Sequence, residues 1–75
     1  MATITCKRYY WSPDRTKIIS SELIAKFPAG NSGVDAEIKD LKQRKFEYKH
    51  GNYRGKIFSK FSGTVEYFVF INFME

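Results

Sequence analysis

Alternation is strongest at the C-terminal end of the chain. From Thr64 to Met74, Val65, Tyr67, Val69, Ile71 and Phe73 form one unbroken apolar row. Successive side chains of a strand point to opposite faces, so Glu66, Phe68, Phe70, Asn72 and Met74 form the other row. A strand that is apolar on both sides through its middle belongs at the centre of a sheet or under a partner. Residues 3–11 are β-branched and aromatic and predict a second strand. Its two faces are Ile4, Cys6 and Tyr10 against Lys7, Tyr9 and Trp11.

Between these strands the period changes. Ser12-Pro13-Asp14-Arg15 reads as a turn or a helix start. Lys17 to Phe27 fits either a helical stripe or an alternating strand. Its paired isoleucines and paired serines are poor helix material, so a strand forming a hairpin with the first is expected. Pro28 to Gly33 is a loop. Beyond it Val34, Ile38 and Leu41 make one narrow apolar stripe, which predicts an amphipathic helix over about 33–44. Ser32 with Asp35 has the spacing of a capping box, and Asp35–Lys39 and Asp40–Arg44 are spaced for surface ion pairs. Phe46 and Tyr48 then alternate with Lys45, Glu47 and Lys49. His50-Gly51-Asn52 interrupts the run, and Ser62-Gly63 is a second break. In the stretch between, Tyr53, Ile57 and Phe61 are expected to face inward, and Arg54, Lys56, Phe58 and Lys60 outward. The sum is an α+β fold: a small antiparallel sheet of four or five strands with one main helix packed on one face, residues 1–75 making a single domain.

Composition narrows the chemistry. A chain of 75 residues buries only about 60% of its unfolded surface, so its stability is expected at roughly 4–11 kcal/mol. Cys6 is the sole cysteine and His50 the sole histidine. No internal disulfide forms and no ordinary structural zinc site can be assembled. Aromatic residues reach 17%, so the core is expected to be made of few, large side chains. No run is long enough to span a membrane, and the N-terminus lacks the pattern of a signal peptide. A cytoplasmic protein without cofactor or metal is expected.

The net charge of +5 has a location. Arg44, Lys45, Lys49, Arg54, Lys56 and Lys60 stand against Glu47 alone, while the rest of the chain holds seven basic and seven acidic residues. Concentrated positive charge attracts phosphates or acidic proteins. The candidate binding surface is therefore Arg44, Lys45, Lys49, Tyr53, Arg54, Lys56, Phe58 and Lys60, with Phe58 as an exposed ring for stacking. Lys7, Tyr9 and Trp11 extend this surface if the first strand shares the face. The bland reading of the same residues is a solvated face whose lysines keep a strand edge from sticking.

Other motifs say less. Gly30-Asn31-Ser32-Gly33 precedes a helix, but Asp35 and Glu37 would repel an anion there. This Gly-x-x-Gly lacks the flanking helices and basic residues of a KH domain, and the aromatic signature of the common RNA-recognition domain is missing. His50, near Glu47, Tyr48, Tyr53 and Arg54, allows a metal-free ribonuclease as a minor reading; a polar turn explains it as well. Cys6 reads as a small buried side chain. The expectation is a non-enzymatic inhibitor or adaptor, of the kind that phages and mobile elements make, docking on a host protein or nucleoprotein complex. Direct binding of DNA or RNA is the alternative. The surplus of apolar residues on the last strand suggests a homodimer through that strand, or a partner docked on its face.

Overall fold

Three tight reversals build the sheet. The computed structural model describes residues 2–30 and 33–73; Ser32, the expected cap, and Met74 lie outside the described residues. Strand β1 (Thr3–Trp11) returns as β2 (Ile18–Pro28), helix α1 (Gly33–Gln43) follows, and β3 (Glu47–Asn52), β4 (Gly55–Ser62) and β5 (Val65–Asn72) complete the chain. The five strands form one antiparallel sheet in the order β2-β1-β5-β4-β3. Helix α1 thus carries the chain from one sheet edge to the other, across a single face.

Each reversal has a local cause. In the first, Asp14 Oδ1 accepts hydrogen bonds from the Ser12 hydroxyl and from the Thr16 N–H and hydroxyl, so Ser12–Arg15 is a turn and not a helix start. In the β3–β4 turn, Asn52 Oδ1 accepts from the N–H groups of Arg54 and Gly55 at 2.8 and 3.2 Å, an Asx turn. The β4–β5 turn is the pair Gly63-Thr64, with Gly63 at φ 65°, the pattern of a II′ turn that matches strand twist. Gly55 has a different reason. A Cβ there would lie 2.3 Å from the Ile71 carbonyl oxygen.

The segment 17–27 is a strand, as expected, and pairs along the whole of β1 with two bulges. The expected interruption at His50-Gly51-Asn52 is instead a bulge at Lys49, after which β3 continues to Asn52. Strand β5 is central, as its two-sided apolar pattern requires. Because β1 and β4 pair with it on either side, the expected homodimer through this strand has no open edge to use. The outer edges belong to β2 and β3.

The core lies between α1 and one sheet face. Ile4, Leu41, Phe58, Val69 and Ile71 are buried, with Cys6, Val34, Ile38 and Phe46 packed around them. The helix ends in a Schellman motif: Phe46 N–H donates to the Leu41 carbonyl and Lys45 N–H to the Lys42 carbonyl. This puts Lys45 at φ 70°, where glycine is usual. Lys60 Nζ donates to the Arg44 carbonyl at 3.0 Å, placing a cation at the helix C-terminus, where the dipole favours it. The long axis of 39 Å is about the length of the 11-residue β2, roughly 36 Å.

Candidate interaction surface

The sheet has two faces and the described chain covers only one. On the bare face, β1 contributes Lys7, Tyr9 and Trp11, β5 contributes Glu66, Phe68 and Phe70, and β4 contributes Ile57, Ser59 and Phe61, all set by the register of the three strands. Leu23 stands beside Lys7 and Ile18 beside Trp11, so the surface continues onto β2. The rings shade one another. Tyr9 meets Phe68 edge-on at 5.7 Å between centroids, and Trp11 meets Phe61 at 6.0 Å. Trp11 Nε1 donates to Glu66 at 3.1 Å, which fixes the indole and satisfies its only donor. The Arg15 guanidinium lies over the Phe61 ring at 4.8 Å, and the same side chain donates to the Gly63 carbonyl. Mutual contact leaves Tyr9, Trp11, Phe68 and Phe70 half-buried without any layer above them.

The basic surface expected from the sequence does not assemble as one face. Phe58 is 1% exposed and belongs to the core, so it offers no ring for stacking. Strand parity puts Lys56 and Lys60 on the same side as Phe58, the helix side, whereas Lys7, Tyr9 and Trp11 occupy the opposite side. The expected orientation of β4 is therefore reversed: Ile57 and Phe61 face the bare side. The physical reason is α1, which crosses over the even-numbered positions of β4. Lys45 and Lys49 line a cleft at one end of the sheet together with Lys60, and the other basic residues are dispersed. Arg44 pairs with Asp40 at 3.4 Å and Lys49 with Glu47 at 2.9 Å. Arg54 sits in the β3–β4 turn and donates to its neighbour Tyr53. Lys45 ends the helix.

Two groups of titratable residues lie away from these surfaces. On the helix side of the β1–β2 arm, Glu22 accepts from Tyr10 at 2.8 Å and pairs with Arg8 at 2.5 Å. The Tyr10 hydroxyl, then the Arg8 cation, hold the Glu22 carboxyl below its ordinary range. Burial, reinforced by Glu37, pushes the Cys6 thiol up, away from nucleophilic character. His50 is exposed and stands across from Ile57. Among the described residues no hydrogen bond or ion pair joins it to Glu47, Tyr53 or Arg54, no cluster of His, Cys, Asp or Glu could hold a metal, and no helix is long and apolar enough to cross a membrane.

Phe68 and Phe70 were legible as a surplus on the last strand; Phe61 and Ile57 were not, because β4 alternates mixed residues on both sides. The edge strand β2 adds exposed apolar side chains, with Ile19 at 63% and Leu23 at 59%. No known protein family, curated protein or solved structure matches the chain. Fold and surface together define an α+β domain with a helix-backed sheet and an aromatic bare face.

Proposed function

We propose that the chain is a non-catalytic binding protein, an inhibitor or adaptor that docks on a host protein or nucleoprotein complex with the bare face of its sheet. One observation carries this reading: Tyr9, Trp11, Phe61, Phe68 and Phe70 form a contiguous aromatic surface on which, among the described residues, no helix or strand packs, the Arg15 side chain over Phe61 being its one cover. Aromatic side chains are enriched at the centres of protein interfaces, and Trp and Tyr dominate their hot spots. Each half-exposed ring that a partner covers contributes about 1 kcal/mol of apolar burial. Lys7 and Glu66 supply polar groups within the surface.

Site-specific photocrosslinking in the producing cell tests it. With a benzophenone side chain replacing Tyr9 or Phe61, a nuclease-resistant protein adduct is expected; the same group at Tyr53, 74% exposed in the β3–β4 turn, gives none. Adducts at Tyr53 alone would refute the reading.

A nucleic-acid reading keeps one specific support. Lys7 adjoins Tyr9 and Phe68, and Arg15 covers Phe61, an arrangement that can hold a stacked single strand. Salt separates the two. Two phosphate contacts on a single strand, from Lys7 and Arg15, imply a slope of log affinity on log salt of about −1.4, whereas docking through rings alone gives a slope near zero.

A further inference from the structure

We propose that a cleft at one end of the sheet, between the end of α1 and strands β3 and β4, binds a phosphate dianion. The cleft has a volume of about 310 Å³ and is lined by Lys45, Glu47, Lys49, Ser59, Lys60 and Phe61. Three lysines thus line it against one glutamate, and Glu47 is already engaged by Lys49.

Three further features point the same way. Ser59 is 2% exposed, yet its hydroxyl has no hydrogen-bond partner. Buried polar atoms are rarely left unpaired, and an exception in a native protein calls for a reason such as an absent ion. Lys45 is held at φ 70° by the helix-end motif, a conformation that glycine or asparagine adopts more readily. A lysine at that position places a cation at the cleft. Lys60 is anchored by the Arg44 carbonyl, so little ordering remains when it meets an anion. A tetrahedral dianion carries more charge and more acceptor oxygens than a carboxylate, enough to meet several ammonium groups and a hydroxyl together. Phe61, 39% exposed, offers a wall for a ring attached to the phosphate. The cleft shares Ser59 and Phe61 with the bare face, but its three lysines take no part in the docking reading.

The test is a two-dimensional NMR titration of the labelled protein with inorganic phosphate and, separately, with adenosine monophosphate, at about 0.15 M ionic strength, where exposed charges are largely screened. Saturable shifts confined to residues 44–49 and 59–61 are expected. Lys45→Gln and Lys60→Gln should each weaken binding by about tenfold or more, the size of one charge-assisted hydrogen bond. Lys45 is exposed, so its variant stays informative if Lys60→Gln loosens the helix end. Ser59→Ala should weaken binding severalfold without lowering the melting temperature. Tighter binding of the nucleotide than of phosphate names a phosphate monoester as ligand; equal binding names free phosphate; both support the site. Shifts spread evenly over Lys7, Arg54 and Lys56, or no saturation by either probe, would overturn it.

Discussion

Phe58 and Lys45 differ from what their neighbours in the sequence suggest, Phe58 by its burial and Lys45 by its backbone. Phe58, flanked by Ser59 and close to two lysines, lies in the core. Phe58→Ala is expected to cost about 3–5 kcal/mol, most of the stability of so small a domain, and denaturant unfolding would show it. Lys45 holds a left-handed backbone; Lys45→Gly should raise stability by about 0.5–1 kcal/mol, and an unchanged or lowered midpoint would contradict the assignment. Asp14 carries a pH dependence. The Ser12 hydroxyl first, then the Thr16 hydroxyl and N–H, hold its carboxyl below the ordinary range. A depressed folded pKa gives stability that is complete above the unfolded value, about 3.9, and is lost as pH falls through the folded value. An NMR titration of the Asp14 carboxyl should have its midpoint below that of an unfolded aspartate; a midpoint at or above it would contradict the turn geometry.

The elements were easier to read than the residues. The helix was legible because Val34, Ile38 and Leu41 keep a helical period, and β5 because both of its faces are apolar. The segment 17–27 was nearly balanced between helix and strand. Pairing along β1 decides it, and such long-range pairing leaves no trace in local periodicity. The bulge at Lys49 was illegible for the same reason. Position in the sheet now orders local stability. Amides of β5, bonded on both sides, should exchange slowest with solvent, and those of β2, at an edge and mostly exposed, should exchange much faster. Equal protection of β2 and β5 would require a second chain on the β2 edge.

At the scale of the molecule, the placement of α1 separates the two sheet faces. It buries the Ile4–Phe58–Val69–Ile71 side and leaves the aromatic side bare. Charge alone suggested a single basic face, because positions 44–60 are close in sequence. In the fold they fall on a helix end, an edge strand, a turn and the covered side of β4. Two of the basic residues of that window, Arg44 and Lys49, are paired with acids. What survives is smaller: the lysine cleft at one end, and the aromatic face that Lys7, Tyr9 and Trp11 already marked in part. Hydroxyl-radical footprinting, on the isolated protein and again in extract of the producing cell, tests the central claim most directly. Tyr9, Trp11 and Phe61 should lose reactivity in extract while Tyr48 and Tyr53 keep theirs. Protection of Tyr48 and Tyr53 with Tyr9, Trp11 and Phe61 still reactive would show that the bare face is not where this protein binds.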